Sequence, residues 1–518
     1  MILDYETYKD KVMGCWAGKN IGGVLGAPFE GFRQYNYIDF YIQDLSEGPP
    51  PNDDLDLQIV WLAAVERYGR NVNASILGDY WLSYIIPNWV EYGMGKANLR
   101  AGFVPPISGE LDNVYKDSCG CFIRSELWAC LAPGHPEIAA RYAYEDAIVD
   151  HQGDGMYGEI FCAVLQSAAF VESDKRKLID IALSYIPESS ALTKCVREAV
   201  ECYDKGVDFK EARIRIHNTA PGTFGIQNDK ISEIKTQDNE GMELGEPGFD
   251  AAENVGFMIA GWLYGNDDFG RSLCLAVACG EDTDCTAATL GALMGIISGA
   301  SQLPEKWTAP LDDKIVTMCI DNTSKGIWIP STSAQLADRC MRSVPAFLGQ
   351  ENCDILTGPG YTIKCQSGDE LYCNKQEDYI HLINGNGKPE DMPIRELTAL
   401  SPYVIRYEHA AFKFRVDYCD SIYFNGEESK KIKVTVINSI SMRQQQWAKI
   451  SLYVPDGVTV IGSKAVFLPL NNLHGSKAET TFEIQATEYY QPKLECIIDV
   501  SLEGRHSSGQ AKILLARK

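Results

Sequence analysis

Two runs of carboxylates stand out as groups able to do chemistry. Asn52-Asp53-Asp54-Leu55-Asp56 leads into LQIVWLAAVERYG, and Glu281-Asp282-Thr283-Asp284-Cys285-Thr286 leads into AATLGALMGIISG. Side-chain oxygens gathered at the start of apolar helices are what a fold needs to hold a hard divalent cation. Either run also reads as a helix cap, because Asp accepts orphan backbone N–H groups and complements the macrodipole. Two features favour the metal. Asp53, Asp54 and Asp56 crowd like charges that repel unless a cation neutralises them. Asp282 and Asp284 precede an apolar run with no Lys or Arg, so burying that helix would carry uncompensated carboxylates inward. An all-oxygen donor set favours Mg²⁺, Mn²⁺ or Ca²⁺ over zinc.

A third constellation lies between them. In SCGCFIRSELWACLAPGHP and YEDAIVDHQGDGMYGEIFCA, the residues Arg124, His151, Asp154 and Tyr157 stand beside glycines. The loop His151-Gln-Gly153-Asp154-Gly155-Met156-Tyr157 opens a helix and is suited to hold a polyol or phosphate with backbone amides. The structural alternatives are a capping role for His151 and an ion pair for Arg124. Cys119-Gly-Cys121 is close-spaced, but buried small apolar residues explain it better than zinc.

The elements that must position these groups are helical up to about residue 345. In ILGDYWLSYIIPNWVEYG, PEIAARYAYEDAIVDHQ, GEIFCAVLQSAAFVE and DKRKLIDIALSYI, apolar residues recur at helical spacing. Gly14, Gly18, Gly22 and Gly26 recur every four residues, as do Gly291, Gly295 and Gly299. Glycine weakens a helix interior, so such stripes predict close backbone approach, with turns as the alternative for the first stretch. Trp61, Trp81, Trp89, Trp128 and Trp262 read as core; Trp307 and Trp328 sit in loop-like contexts that could cover a pocket. The polar stretch 230–254 reads as a long loop near the site.

From about residue 360 the period becomes two. YVIRYEHAAFKFRVDY, KKIKVTVINS, WAKISLYVP, ETTFEIQAT, LECIIDV and AKILL alternate apolar and polar residues between turn-prone stretches such as NGNGKPED and PDGV. The chain is therefore expected to hold an all-α domain over 1–348 and a smaller all-β, sandwich-like domain over 360–518, divided near Gly349 to Gly360.

Composition bounds the function. With 47 Lys and Arg against 71 Asp and Glu, the net charge is −24, which argues against binding a nucleic-acid duplex or an anionic membrane. No run is apolar enough to span a bilayer, and the first residues carry no signal-peptide pattern. The 17 cysteines follow no disulfide spacing. Reduced thiols in the cytoplasm are the expectation.

The sequence resembles the ADP-ribosylglycohydrolase family. The carrying residues are MGCWAGKNIGGVLGAPFEG at 13–31, NDDLDL at 52–57, CGCFIRSELWACLAPGHP at 119–136, DHQGDGMYG at 150–158 and GEDTDCTAATLGALMG at 280–295. The resemblance covers roughly residues 8–345; the β region lies outside it and looks like an accessory sandwich. It implies an all-α fold with a binuclear Mg²⁺ site, cleaving a glycosidic bond at an ADP-ribose unit; for this chain one or two Mg²⁺ ions are expected. Carried over by position, the metal ligands are Asn52, Asp53, Asp54, Asp282, Asp284 and Cys285, and Glu30 corresponds to the active-site glutamate. The chain departs from the family where Asn52 and Cys285 replace a common Thr hydroxyl. An Asn carbonyl suits a hard ion; a thiol does not, leaving Cys285 to line the site or Thr286 to substitute.

The expected reaction is metal-assisted hydrolysis of an N- or O-glycosidic bond in a small-molecule or protein-linked substrate. Glu30, Asp54 and Asp282 are the catalytic carboxylates, and Arg124, His151 and residues 153–157 the substrate contacts. A glycosidase for another furanoside and a non-catalytic binding protein are the alternatives.

Overall fold

The computed structural model describes residues 1–221, 248–321, 326–355, 360–373, 392–426, 428–439, 444–472 and 475–518. The chain forms two compact units, one of Met1–Leu99 with Ser108–Lys375, the other of Arg100–Ile107 with Gln376–Lys518. The first unit is helical. Its main helices are α1 (Tyr5–Gly26), α2 (Asp53–Tyr68), α3 (Ala74–Tyr84), α4 (Val90–Ala101), α5 (Ser125–Leu131), α6 (Pro136–Ala147) and α7 (Gly153–Ala169). They are followed by α8 (Lys175–Leu183), α9 (Ala191–Asp204), α10 (Phe209–Thr219), α11 (Ala251–Tyr264), α12 (Phe269–Ala278), α13 (Thr283–Ser298) and α14 (Ser333–Leu348).

The glycine stripes explain how the two carboxylate runs meet. α1 and α13 lie antiparallel with their backbones touching. A Cβ at Gly14 would fall 2.2 Å from the Gly295 carbonyl oxygen, at Gly18 2.0 Å from that of Gly291, and at Gly22 2.0 Å from that of Ala287. At Gly26 the same construction meets the Thr283 oxygen at 2.3 Å. Any larger side chain would separate the helices, and with them the end of α1 from the start of α13. Gly299 is the exception: it caps α13 at φ +81° and is not part of the packed stripe.

The tryptophans divide. Trp61, Trp81, Trp128 and Trp262 are buried, as their spacing predicts, and so is Trp307, whose indole packs over Gly270. Trp89 is exposed, contrary to expectation. The stretch containing it is not one helix: α3 ends at Tyr84 and α4 begins at Val90, with Pro87 unable to continue the helical bonding between them. Trp328 is exposed beneath the Arg339 guanidinium.

The first unit also has a small antiparallel sheet, β1 (Ile2–Leu3), β3 (Thr362–Lys364) and β2 (Cys353–Asp354) in that order. Leu3 pairs with Ile363, so the chain after Gly360 returns to the helical unit, which therefore runs past residue 348.

The second unit carries two five-stranded sheets. One has the order β4 (Val404–Glu408), β5 (Phe412–Asp417), β7 (Lys430–Asn438), β11 (Lys477–Gln485), β9 (Thr459–Ile461). The other has β10 (Ala465–Leu470), β8 (Gln446–Tyr453), β12 (Lys493–Leu502), β13 (Ser508–Arg517), β6 (Tyr423–Phe424). Alternation along β5 and β12 buries Phe412, Phe414 and Val416 from one sheet and Leu494, Cys496 and Ile498 from the other. Each of the six expected strand stretches forms ladder. β10 was not expected: its AVFLPL sequence does not alternate, and Pro469 is tolerated because the strand is an edge. The turn NGNGKPED and residues 230–247 of the expected loop lie outside the described residues.

Candidate metal centre

Neither run has a carboxylate at work as the N-cap of its helix, although Asp284 Oδ1 accepts the Cys285 N–H at 3.0 Å. At α2 the cap is Asn52, whose Oδ1 accepts from the Asp54 backbone N–H at 3.0 Å. Asp282 stands at the N-cap of α13 but its side chain makes no capping bond. The carboxylates are left to face one another. Ligand atoms of Asp53, Asp54 and Asp284 lie within 4.8 Å of each other, and so do those of Glu30, Asp282 and Asp284. Asp284 joins the two groups, and the two sequence runs meet.

The approach is pinned from outside the centre. After α1 the chain bridges to the start of α13 through Gly31 N–H to Glu281 O and Glu281 N–H to Phe32 O, each at 3.0 Å. Glu281 takes φ +64° there, and its carboxylate accepts from Arg33 Nε at 2.7 Å and from the Gly248 N–H. Glu30, ending the loop, is thereby held beside Asp284. Asp56 points elsewhere: it accepts from the Met318 and Cys319 N–H groups and anchors that loop.

Electrostatics agree with an incomplete donor set. Burial, with the neighbouring Asp282 charge, pushes the Asp53 carboxyl up to about 6. Burial pushes Asp54 up to about 8 despite the Lys19 ammonium nearby. Asp284 is driven well above the carboxylate range by burial, then by Glu30, Asp282 and Asp54. Asp54 Oδ2 and Asp282 Oδ1 are buried without a hydrogen-bond partner. A crowded, buried set of carboxylate oxygens with a single ammonium beside it fits a hard divalent ion.

Cys285 lines this centre, its Sγ 3.7 Å from Asp54 Oδ1. Thr286 is no substitute donor, since its hydroxyl is bonded to the Thr283 carbonyl at 3.1 Å. Asn52 also departs from expectation as a ligand: its Oδ1 is committed to the α2 cap, and its Nδ2 is packed on Gly23.

The third constellation has a different role. Arg124 is fully buried, its Nε 3.1 Å from Asp146, its Nη2 2.9 Å from Asp150 and 3.7 Å from Glu159. His151, also fully buried, sits between Asp150 at 2.9 Å and Ser118 Oγ at 2.8 Å. These two expected substrate contacts are instead internal ties, each fully buried and within ion-pair distance of protein carboxylates. The amide expected to cradle a ligand at the start of α7 is likewise taken: Asp154 N–H donates to Asp117 at 2.7 Å. The Asp154 carboxylate accepts from Leu192 N–H at 2.8 Å, joining α7 to α9. Gly153, at φ +57°, and Gly155 lie too close to Asp117 and the Lys116 carbonyl for a side chain. Met156 is buried, and Tyr157 is half-buried.

A network behind Asp54 escaped the sequence reading. Lys19 is buried, with Nζ 3.2 Å from Glu126 and 4.0 Å from Asp54. Burial alone would lower its pKa, but Glu126 and Asp54 outweigh that and hold the ammonium charged. Glu126 also accepts from Gln58 at 2.8 Å and Gln166 at 3.0 Å. The available signal was a lysine placed between Gly18 and Gly22 on a helix face that must be buried.

The class these features define is a helical unit organised around a buried carboxylate centre, with an antiparallel β unit appended. Residues 4–344 match the family model described as ADP-ribosylglycohydrolase, and the chain belongs to that family. Membership supports a glycosyl-hydrolase type of enzyme. An uncharacterized protein of Archaeoglobus fulgidus is 23% identical over 319 residues, spanning 59% of this chain and 93% of its own. A solved structure titled "ADP-ribosylglycohydrolase-related protein complex" covers 66% of this chain and 100% of its own at 14% identity, with a TM-score of 0.43. Pseudomonas fluorescens alkylpurine DNA glycosylase AlkC, bound to DNA containing an abasic site analog, covers 70% and 99% at 14% identity with a TM-score of 0.13. Neither structural likeness is close enough to carry argument. Among the described residues no helix is long and apolar enough to cross a membrane, and all seventeen cysteines are free.

Proposed function

We propose that the protein is a divalent-metal-dependent glycosidase that hydrolyses the N- or O-glycosidic bond of a ribosyl unit, with ADP-ribosyl compounds the first class to test. The observation that carries this reading is the meeting of Asp53, Asp54 and Asp284 with Glu30 and Asp282 around orphaned carboxylate oxygens. Asp53, Asp54, Asp282 and Asp284 would hold the ion, with Mg²⁺ or Mn²⁺ suited to oxygens alone. A hard divalent ion there supplies Lewis acidity and lowers the pKa of water. Glu30, on the exposed rim, is the carboxylate placed to exchange a proton with solvent or substrate as the anomeric carbon gains positive charge. Asp54 is the second such group, kept in place from behind by Lys19. Tyr157, half-buried, remains available to position the sugar.

One observation favours a second substrate class. Arg124, expected as a substrate contact, is spent on three internal carboxylates and offers no charge to a diphosphate. A furanoside without phosphates needs no such partner.

Exhaustive dialysis against chelator is expected to abolish hydrolysis, with Mg²⁺ or Mn²⁺ restoring it. Asp282→Ala is expected to abolish turnover in a protein that stays folded. Full activity in EDTA would overturn metal dependence. Screening ADP-ribosylated protein against aryl furanosides separates the substrate classes; cleavage of the furanosides alone removes ADP-ribose from the reading.

A further inference from the structure

Asp282 belongs to two groups of ligand atoms that differ in chemistry. With Glu30 and Asp284 it is part of an all-oxygen set; with Cys119 and Cys285 it forms a buried set containing two thiols, all three ligand atoms within 4.8 Å of one another. Cys119 Sγ donates to Asp282 Oδ2 at 2.6 Å, and Cys285 Sγ approaches Asp54 Oδ1 at 3.7 Å. The other oxygen of each carboxylate, Asp282 Oδ1 and Asp54 Oδ2, has no hydrogen-bond partner, on side chains 3% and 1% exposed. Each acid thus turns one oxygen to a sulfur; the second oxygen of Asp54 has Lys19 at 4.0 Å, and that of Asp282 has no hydrogen-bond partner. Among the described residues, Cys119 and Cys285 are the cysteines whose sulfur joins a carboxylate in a metal-sized group.

We propose that this centre takes two cations of different class: a hard ion on the carboxylates, and a thiophilic divalent ion of the zinc type on Cys119, Cys285 and Asp282, which the two ions share. Only the hard-ion half rests on the glycosidase reading. Metal–sulfur and metal–oxygen bonds of about 2.0–2.3 Å let one ion reach donors up to about 4.6 Å apart, the scale of this group. Thiolates select zinc-type ions over Mg²⁺, so the two subsites sort cations by ligand softness. Three protein ligands leave a coordination position open, as an ion that handles substrate or water requires. Binding forms two metal–sulfur bonds, and both thiol protons leave to solvent. About two protons are therefore released per ion, and affinity rises with pH.

The test uses full-length protein, reduced and stripped of metal, titrated with Co²⁺ in excess Mg²⁺ that fills the hard subsite. A sulfur-to-cobalt charge-transfer absorption in the near ultraviolet is expected, saturating at a single equivalent and bleached by Zn²⁺. It is expected to persist in Cys130→Ser and disappear in the doubly substituted Cys119→Ser, Cys285→Ser protein. If that variant fails to fold, X-ray absorption of the Zn²⁺-loaded natural chain decides, with two sulfur scatterers expected. No charge-transfer band in the natural chain, an undiminished band in the folded double variant, or a zinc shell without sulfur would overturn the inference. Mn²⁺ binding followed by electron paramagnetic resonance is read separately. Mn²⁺ bound without a cobalt band removes the soft subsite and leaves the glycosidase reading standing. A cobalt band in a protein that hydrolyses no glycoside does the reverse.

Discussion

Two acid-rich clusters of the helical unit differ in charge balance. Around Arg124, three carboxylates from α6, α7 and the loop between them surround one guanidinium. Burial pushes Asp150 up, but Arg124 and His151 outweigh it and hold it below the usual carboxylate range. Glu159 is raised well above its usual value by burial and by Asp146. Each of those carboxylates lies within 4.0 Å of the one guanidinium. At the α1–α13 contact, five acids converge with one cation, Lys19, which reaches only Asp54 among them, at 4.0 Å. Buried acidity therefore does not mark a site; the excess of acid over internal counter-charge does.

The largest effect is expected where the internal cation is removed. Arg124→Met leaves Asp146 and Asp150 buried without their counter-charge, a loss of about 3–5 kcal/mol, which is much of a typical domain's stability. Denaturant unfolding should show that loss equally with and without Mn²⁺, since the cluster needs no added ion. Adding Asp150→Asn to Arg124→Met should recover part of it. If Arg124→Met were instead stable and impaired only in substrate binding, the contrast between the clusters would fail.

A smaller effect is expected from prising the carboxylates apart. Gly18→Ala would place a methyl 2.0 Å from the Gly291 carbonyl oxygen, where backbone must give way. Overpacking of this kind costs about 1–3 kcal/mol. Because the same stripe ends at Gly26 and Thr283, the variant should also bind Mn²⁺ more weakly by calorimetry. Unchanged affinity would show that the centre does not depend on the helix contact.

Much of this was legible in the chain. Period-two and period-3.6 patterns depend on local sequence, so the change from helices to strands could be read, and the four-residue glycine spacing signalled close backbone approach without saying that the two stripes meet each other. What failed depends on who stands opposite. His151 and Arg124 have the residue types of a binding loop, but Asp146, Asp150 and Ser118 answer them only once the helices pack. Asn52 was expected as a ligand by its position in the family resemblance; the local geometry of the α2 start makes it the cap. Cys119 lies far along the chain from Cys285, and no spacing rule could pair them. Edge strand β10, with its Pro469, carries no alternation to detect.

The smallest expected effect concerns protons and tests the same contrast quantitatively. Burial raises Asp53 to about 6 and Asp54 to about 8, whereas an unfolded Asp titrates near 3.9. Between those values the folded state binds more protons than the unfolded state, so the slope of unfolding free energy with pH is negative. The stability these groups contribute is whole below about pH 4 and is lost as pH rises through 6 to 8. Asp56, raised to about 8, Glu91, also about 8, and Glu281, about 7, add to the same slope, each through burial first. The comparison must therefore be between variants. Asp54→Asn should flatten the metal-free profile between pH 4 and 8 and leave it more stable than the natural chain at pH 8, by on the order of 1 kcal/mol. Saturating Mn²⁺ should invert that ranking, since only the natural chain gains a ligand when the proton leaves. Asp150→Asn should do the opposite: Asp150 is depressed, its contribution is present at neutral pH, and removing it should destabilise there with or without metal. Equal profiles for the two variants would mean that both clusters are ion pairs of one kind, and that the carboxylate centre has no vacancy for a cation to fill.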